Sequence, residues 1–383
     1  MDVKIFGNKL QGQIPGIISK SHGHRVLISN YLASSEILPL NNINQDLDAT
    51  IDCLKSLKYK QTTFKCKESG TTLRLILPVT MALCKYGEFF CDGSLRSRDM
   101  KPLLDTLSQN GVTVTYSNGT YIAQGQLIGG DFLLPGNISS QFVSGLLFAL
   151  PLTKNGGTIT LTSPLESQSY VDLTIKVLKD FGIEVKKVDS GYLVNGMQKY
   201  QKPKKIEIEK DWSNAGFFLA ANALGSDVEI EGLNKEAHQG DKEICHIIQK
   251  LQASESVTLN LSDTPDLAPV VALIGAFRSH STTIYCPRLK YKESNRLASI
   301  SAMIKSVGGN STVTNGQIII TPVEQVSGGI VDSFNDHRIV MAAAIIGTNT
   351  VNPVTILGAE AVNKSYPNFF EDYVKLGGKI EYI

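Results

Sequence analysis

The stretch Gly136-Asn-Ile-Ser-Ser-Gln-Phe-Val-Ser-Gly-Leu-Leu-Phe-Ala-Leu150 decides how this chain is expected to fold. It opens with a polar turn containing two serines, a residue type that often caps helix N-termini, and continues as an almost wholly apolar run. A helix that is apolar on every side is buried. Because buried polar groups need partners, the polar start of such a helix is expected at an internal polar site.

Similar openings recur along the chain with a period of roughly fifty to seventy-five residues, longer than that of the common solenoids. Each opening leads into an apolar helix, and a second, more polar helix then ends at a glycine before a strand-like segment. The other five openings begin at Ser19, Glu68, Asp211, Asp263 and Asn335. We therefore predict six repeated α/β units, each with one buried and one solvent-facing helix.

A Pro- and Lys-rich break, Gln201-Lys-Pro-Lys-Lys205, separates the first three repeats from the last three. It predicts two similar domains, residues 12–209 and residues 1–11 with 210–383, with the ligand bound between them. The short strand Val3–Phe6 precedes the first repeat, and we expect it to complete a sheet of the second domain.

The composition excludes several function classes. The formal net charge of +1 gives no sign of a nucleic-acid or anionic-membrane partner. No apolar run reaches about 18 residues, and the N-terminus lacks a secretory pattern, so a cytoplasmic location is expected. The six cysteines form no Cys-x-x-Cys pair, and His22 and His24 lack a second ligand pair, so no metal site is predicted.

The nine residues Arg288-Leu-Lys-Tyr-Lys-Glu-Ser-Asn-Arg296 stand directly before an apolar-periodic helix. A basic cluster at a helix N-terminus favours an anion, because backbone N–H groups and the positive dipole end lie there. Glu293 adds a carboxylate suited to proton transfer beside a bound anion, and Ser294 is expected to point away. Taken alone, the cluster is more typical of a solvated helix start with ordinary ion pairs.

Arginine is scarce in this chain, with eight arginines against twenty-nine lysines. Six of the eight lie within a few residues of a polar helix-start signal: Arg25, Arg74, Arg96, Arg98, Arg296 and Arg338. The planar guanidinium binds carboxylate or phosphate through paired hydrogen bonds, which a lysine cannot do. The placement indicates recognition of such anions.

Five motifs, in their order along the chain, resemble those of the enolpyruvyl transferase family. They are Ser19-Lys20-Ser21 with Arg25, Ser139-Ser140-Gln141, Gln239-Gly240-Asp241, Lys292-Glu293-Ser294 with Arg296, and Asn335-Asp336-His337-Arg338. The resemblance covers essentially the whole chain. It implies an α/β fold of two similar domains, each of three repeated βαβαββ units that form an inside-out α/β barrel, with the active site in the interdomain cleft.

The activity implied by the resemblance is transfer of the carboxyvinyl group of phosphoenolpyruvate to the 5-hydroxyl of shikimate 3-phosphate. The reaction releases phosphate by addition and elimination through a tetrahedral intermediate, as a step of aromatic amino-acid biosynthesis. It uses no cofactor and requires no metal. The expected partners are these two small molecules, bound by a monomer.

The resemblance also assigns roles to residues. Asp266 is expected to accept a proton, Glu293 to donate one to the methylene carbon, and Lys20 to contact both substrates. The residues expected to bind shikimate 3-phosphate are Lys20, Ser21, Arg25, Ser139, Ser140, Gln141, Ser167, Tyr170, Asp266 and Lys292. Those expected to bind phosphoenolpyruvate are Lys20, Gly70, Arg98, Gln141, Arg296, Arg338 and Lys364.

Each assignment has a purely structural alternative. Ser139, Ser140 and Asp266 could be plain helix N-caps, which is the common role of such residues. Lys364 could be a solvated loop lysine, and Tyr170 a core aromatic with an exposed hydroxyl. Gly70 could serve only a turn.

Four positions depart from the family pattern: Gly23, Glu68, Asp99 and Arg288. They leave two other functions open. One is that of the UDP-N-acetylglucosamine enolpyruvyl transferase, which carries a cysteine where this chain has Gly93. The other is that of a non-catalytic paralogue that binds an anionic metabolite; the presence of Lys20, Asp266 and Glu293 argues against it.

Overall fold

The computed structural model describes residues 1–41 and 43–383, which divide into two compact units. We call Lys20–Ile208 the inserted unit, and Met1–Ser19 together with Glu209–Ile383 the split unit. The predicted domain boundary is at residue 12, whereas the strand Gln11–Pro15 pairs in parallel with Asp227–Glu231. Residues 12–19 therefore lie in the split unit, and the assignment of three repeats to each domain stays a prediction.

The chain begins with β1 (Val3–Phe6) and β2 (Gln11–Pro15), and the inserted unit then begins with a pair of helices, α1 (Lys20–Ser34) and α2 (Gln45–Lys58). The remaining elements of the inserted unit are β3 (Thr63–Lys67), α3 (Gly70–Leu83), β4 (Tyr86–Cys91), α4 (Lys101–Ser108), β5 (Val112–Ser117), β6 (Thr120–Gly125), β7 (Gly130–Leu134), α5 (Ser140–Ala149), β8 (Gly157–Leu161), α6 (Gln168–Asp180), β9 (Lys186–Val188) and β10 (Gly191–Val194).

The split unit continues with α7 (Trp212–Ala223), β11 (Asp227–Glu231) and α8 (Ile244–Leu251). Its other elements are β12 (Val257–Asn260), α9 (Ala268–Gly275), β13 (Thr282–Tyr285), α10 (Arg296–Ser306), β14 (Asn310–Thr314), β15 (Gln317–Thr321), β16 (Gly329–Asp332), α11 (His337–Gly347), β17 (Val354–Leu357), α12 (Phe369–Lys375) and β18 (Lys379–Tyr382).

Four sheets share one topology. In the orders β3-β4-β6-β5, β7-β8-β10-β9 and β12-β13-β15-β14, a parallel pair joined through a helix is extended by an antiparallel hairpin. The fourth sheet, β16-β17-β1-β18, has β1 in the place of the inner hairpin strand, antiparallel to both neighbours. This confirms that residues 3–6 complete a sheet of the C-terminal half.

The first and fourth predicted repeats lack the closing hairpin within the described residues. Only residues 59–62 separate α2 from β3, and only residues 252–256 separate α8 from β12. At about 3.3 Å per residue, segments this short cannot hold two strands and a turn. Where six complete βαβαββ units are predicted, the part of the chain that the structure describes contains four, the last of them completed by β1. Strands β2 and β11 form a separate two-stranded parallel sheet.

The apolar helices are buried as predicted. All eleven residues of α11 and all eight of α9 are buried, and only Gln141 of α5 is not. Several of these helices begin at a side chain that caps the backbone: Ser69 accepts from the Thr72 N–H and Asp336 from the Arg338 N–H. The polar helix ends are therefore fixed within the units, where they bring the predicted site residues into contact.

Candidate functional site

Arg25 is the most deeply buried cation of the predicted set in the inserted unit. Its Nε donates to Thr174 Oγ1 at 2.7 Å, Nη1 to the Ser21 carbonyl at 2.5 Å and Nη2 to the Tyr170 carbonyl at 2.9 Å. All three acceptors are uncharged. Burial lowers the pKa of Arg25 to about 10, against a smaller opposing effect of Tyr170. The guanidinium joins α1 to the start of α6.

Lys20, the first residue of α1, lies 3.0 Å from Asp46 in a largely buried ion pair. Its ammonium therefore has a carboxylate partner from α2. A bound anion at Lys20 would compete with Asp46 for this charge.

The start of α3 collects two arginines around Gly70. A Cβ placed on Gly70 would lie 2.9 Å from Arg74 Nη1 and 3.0 Å from Arg98 Nη1, so the ends of both arginine side chains would have to move. Gly70 therefore lets two guanidinium groups approach the backbone at the start of α3, a role beyond that of a turn. The arrangement places Arg98 beside the first turn of α3, at its N-terminus.

Arg74 is a site residue that the sequence analysis did not assign. Its Nη1 donates to Gln141 Oε1 at 2.9 Å, and Gln141 Nε2 donates in turn to Thr71 Oγ1 at 2.8 Å. The guanidinium also lies over the Phe142 ring, 5.5 Å from its centroid. Arg74 thus orients Gln141 between α3 and α5. The sequence signal that pointed to it is that arginine is scarce in the chain and that six of the eight arginines, Arg74 among them, lie near helix-start signals.

The two serines before α5 are buried, but they do not cap the helix in the usual way. Ser139 occupies the N-cap position and its side chain makes no capping hydrogen bond, and Ser140 is the first helical residue. For Ser139, the plain N-cap alternative is therefore not what the structure shows. Ser167, before α6, has φ 56° and ψ 43°, a left-handed conformation unusual for serine and typical of strained functional positions.

Arg296 is the centre of the set in the split unit. Its side chain is fully buried and contacts three carboxylates: Nε lies 2.8 Å from Asp336 Oδ2, Nη1 2.7 Å from Asp266 Oδ1, and Nη2 2.5 Å from Glu293 Oε2. Burial alone would lower the pKa of this guanidinium. The three carboxylates outweigh burial and raise the pKa well above its ordinary value.

Asp266 bridges the cations of this set. Besides Arg296, it accepts from Arg338 Nη2 at 3.0 Å and lies 3.3 Å from Lys292 Nζ. It lies in a short 3₁₀ turn before α9 and acts as an ion-pair centre, so the plain N-cap alternative does not describe it. Burial lowers the pKa of Lys292; Asp266 opposes this, and Arg288 and Arg296 add to it.

Lys364 lies at the end of a short 3₁₀ helix before α12, and only 8% of the residue is exposed. Its Nζ donates to the Asn335 carbonyl at 2.9 Å, next to the N-terminus of α11. It is therefore not a solvated loop lysine. The contact brings Lys364 to the motif that carries Arg338.

Ser294 corrects an expectation, because it does not point away from the set. Its hydroxyl donates to Asp336 Oδ2 at 2.9 Å and lies 2.9 Å from Ser299 Oγ. Asp336 belongs to the motif Asn335-Asp336-His337-Arg338, in which the sequence predicts a role only for Arg338. Both residues hold Arg296 or its neighbours, and the 42 positions that separate them explain why a local pattern missed the contact.

The four departures from the family pattern have local structural roles. A Cβ at Gly23 would lie 3.0 Å from Leu47, so Gly23 lets α1 pack against α2. The Asp99 carboxylate accepts from the Lys101 N–H at 2.8 Å, at the start of α4. Glu68 lies against Gly93, in the loop that leads to Arg98. Arg288 is buried and adds positive charge near Lys292.

The two sets offer different chemistry. The inserted unit supplies guanidinium groups, hydroxyls and an amide at helix starts, which suit phosphate and carboxylate binding. The split unit adds carboxylates in contact with cations, which suits proton transfer beside bound anions. Among the described residues, no group of three or more His, Cys, Asp or Glu could hold a metal ion. Within the same residues, no helix is long and apolar enough to cross a membrane.

Comparisons with known proteins agree over nearly the full length. The EPSP synthase (3-phosphoshikimate 1-carboxyvinyltransferase) family matches residues 6–373. A 3-phosphoshikimate 1-carboxyvinyltransferase of Clostridium novyi (strain NT) is 34% identical over 430 aligned residues, covering 99% of this chain and 98% of that protein. The enzyme of the same name from Methanocorpusculum labreanum is 34% identical, with 98% of this chain and 99% of that protein covered.

Solved structures show the same fold. An EPSP synthase from Acinetobacter baumannii superimposes with a TM-score of 0.79 at 23% identity, with both chains fully covered. The enolpyruvyl transferase NikO from Streptomyces tendae gives a TM-score of 0.75 at 14% identity, covering 100% of this chain and 98% of that one. The fold, the site geometry and the full-length sequence match together show that the chain belongs to the EPSP synthase (3-phosphoshikimate 1-carboxyvinyltransferase) family.

Proposed function

We propose that this chain transfers the carboxyvinyl group of phosphoenolpyruvate to the 5-hydroxyl of shikimate 3-phosphate, giving 5-enolpyruvylshikimate 3-phosphate and phosphate. Family membership over residues 6–373 supports the reaction. The observation that carries the proposal is the contact of Asp266 with both Arg296 and Arg338, beside Glu293. A proton-transfer pair and two anion-binding groups are thereby joined in one cluster.

Most of the other predicted site residues are assigned to substrate binding. The two substrates together carry two phosphates and two carboxylates, which call for many cationic donors. We assign the phosphate and hydroxyls of shikimate 3-phosphate to Lys20, Ser21, Arg25, Ser139, Ser140, Gln141, Ser167, Tyr170, Asp266 and Lys292. We assign phosphoenolpyruvate to Lys20, Gly70, Arg98, Gln141, Arg296, Arg338 and Lys364. The structure adds Arg74, which orients Gln141.

Asp266 and Glu293 divide the proton transfers. The 5-hydroxyl must lose a proton as its oxygen attacks the C2 carbon of phosphoenolpyruvate, while the C3 methylene gains a proton. Asp266 accepts the first proton and Glu293 delivers the second; elimination of phosphate then reverses the transfer at C3. Both carboxylates are about one-fifth exposed, unlike the buried Asp336, so they can exchange a cation contact for substrate.

With this function we propose that the two domains, built from repeated α/β units, form an inside-out α/β barrel architecture. The cytoplasmic location and the monomeric state are proposed with it. A sedimentation measurement at micromolar concentration tests the monomer, since a mass near 83 kDa, about twice the chain mass of 41.6 kDa, would show a dimer.

The test is phosphate release from phosphoenolpyruvate with two alternative acceptors. We expect release with shikimate 3-phosphate and none above background with UDP-N-acetylglucosamine, because Gly93 stands where that second enzyme carries a cysteine. Release only with the nucleotide sugar would assign the other reaction. Binding of either acceptor without release would make the chain a non-catalytic paralogue.

A further inference from the structure

Asp336 is a fully buried carboxylate with four hydrogen bonds in the split unit. It accepts from Arg296 Nε at 2.8 Å and Nη2 at 3.2 Å, from the Ser294 hydroxyl at 2.9 Å and from the Arg338 N–H at 3.0 Å. It is also the N-cap of α11. One carboxylate therefore joins the segment before α10 to the start of α11.

The charge state of Asp336 follows from its partners. Burial, the largest influence, would raise the pKa of this carboxyl, and Glu293 acts in the same direction. Arg296, in direct contact, and His337 act the other way, and the pKa ends below its ordinary value. Asp336 is therefore ionised at neutral pH, and its pair with Arg296 is a buried ion pair with its hydrogen bonds satisfied.

The three carboxylates around Arg296 differ in exposure. The side chain of Asp336 is 0% exposed, whereas those of Asp266 and Glu293 are 18% and 19% exposed. Asp336 holds the Nε–Nη2 edge of the guanidinium, and the other two reach Nη1 and Nη2. An incoming anion can replace the two accessible partners but not the buried one. The hydrogen bonds from the Nε–Nη2 edge of Arg296 to Asp336 therefore persist when an anion binds.

We propose that Asp336 is a positioning residue for the phosphoenolpyruvate site: it orients the fork of Arg296 through its side chain and Arg338 through the backbone of α11. This inference rests on the proposed function. It predicts that Asp336 acts on both arginines at once and touches neither substrate. Ser294 supports the same orientation by filling a further lone pair of Asp336.

The main test is Asp336→Asn. The amide keeps the shape of the side chain but sets an NH₂ group or a neutral oxygen against Arg296, so the orientation of the fork is lost. Because misplacing a binding group by about 1 Å can cost 10²-fold, we expect kcat/KM for phosphoenolpyruvate to fall by about 10². The KM for shikimate 3-phosphate should change by less than about threefold, since eight of the ten residues assigned to that substrate lie in the inserted unit and only Asp266 and Lys292 lie in the split unit.

A matched control is Asp211→Asn, which changes a second buried aspartate N-cap, the one that accepts from the Asn214 N–H at the start of α7. It should lower the unfolding temperature and leave both KM values near those of the unchanged protein. If Asp336→Asn does not fold, Ser294→Ala keeps the charge of Asp336 and removes one hydrogen bond. We expect it to raise the KM for phosphoenolpyruvate about threefold to tenfold, a cost of about 1 kcal/mol.

The outcomes are distinct. A selective rise in the KM for phosphoenolpyruvate in the Asp336 or Ser294 variant supports the positioning role. Equal changes in both KM values, or a loss of folded protein with normal KM values in the remainder, would make Asp336 purely structural and overturn the inference. Failure of the unchanged protein to release phosphate would instead count against the proposed function.

Discussion

Two buried arginines, one in each unit, show how different partners give the same side chain different tasks. The hydrogen bonds of Arg25 within the described residues go to three uncharged oxygens, and burial lowers its pKa to about 10. Arg296 is surrounded by Asp266, Glu293 and Asp336, which raise its pKa well above the ordinary value. The first arginine keeps a charge that these three acceptors do not neutralise, which suits the anion binding that we propose for it. The charge of the second is balanced by three carboxylates, two of which are accessible to an incoming anion.

Replacing each arginine by methionine gives the largest expected contrast. Arg296→Met leaves three carboxylates around a neutral side chain, and breaking such a buried pair costs about 3–5 kcal/mol of unfolding free energy. Arg25→Met loses hydrogen bonds to neutral acceptors and should cost about 1–3 kcal/mol. Urea denaturation of both variants measures the difference. Equal losses, or a larger loss for Arg25→Met, would contradict the distinction between the two sites.

Arg98→Lys tests whether the inserted unit serves anion binding. Arg98 lies beside Gly70 at the start of α3, and a lysine keeps the charge but not the two-pronged geometry. Because a hydrogen bond to a charged group is worth about 1.5–3 kcal/mol, the KM for phosphoenolpyruvate should rise about tenfold or more.

The KM for shikimate 3-phosphate and the unfolding free energy should stay close to those of the unchanged protein after Arg98→Lys. Steady-state kinetics with each substrate varied in turn measure both constants. A parallel rise in both KM values would remove the assignment of Arg98 to phosphoenolpyruvate.

His24 lies beside Arg25 in the sequence. Replacing it should have the smallest effect on the free energy of unfolding, and this effect depends on pH. Burial, with Lys20 and Arg25, lowers its pKa well below 6.5. The unfolded chain takes up this proton as the pH falls through 6.5 and the folded chain does not. The contribution of His24 to the free energy of unfolding is therefore fully present above about pH 6.5. Below that pH it is lost by up to about 1.4 kcal/mol per pH unit.

His24→Gln can keep the 2.7 Å contact with Thr50 and removes the titrating group. Comparing the unfolding free energy at pH 7.5 and 5.5 should therefore show a smaller decline for this variant. The same decline in both proteins would show that His24 is protonated in the folded chain, and that burial and the charges of Lys20 and Arg25 do not lower its pKa.

The architecture was predictable because its signals are local. Buried apolar helices, glycines after the second helices and the strand at residues 3–6 all follow from periodicity and from residue types with strong backbone preferences. The missing hairpins could not be predicted in the same way. Each repeat is predicted from its opening motif. The short segments after α2 and α8 contain no sequence pattern that would show that a hairpin is missing there.

The site was predictable residue by residue only where the family resemblance reached. Physical reasoning from sequence offered an anion site at residues 288–296 as an alternative to ordinary ion pairs, and it singled out Glu293. It missed Arg74 and Asp336 and misplaced Ser294, because each acts through a partner forty or more positions away. Such contacts arise when the starts of different helices meet within one unit. No segment taken alone encodes them.

The assignment of the two proton transfers to Asp266 and Glu293 is tested most directly by solvent hydrogen exchange at the methylene carbon of phosphoenolpyruvate. In D₂O with shikimate 3-phosphate, the unchanged protein should place deuterium in the recovered phosphoenolpyruvate and in the product. Glu293→Gln should bind both substrates, with exchange and turnover reduced by about 10² or more, the usual scale for a general acid or base. Near-native exchange in Glu293→Gln would contradict the account and leave Asp266 or Lys20 as the proton carrier.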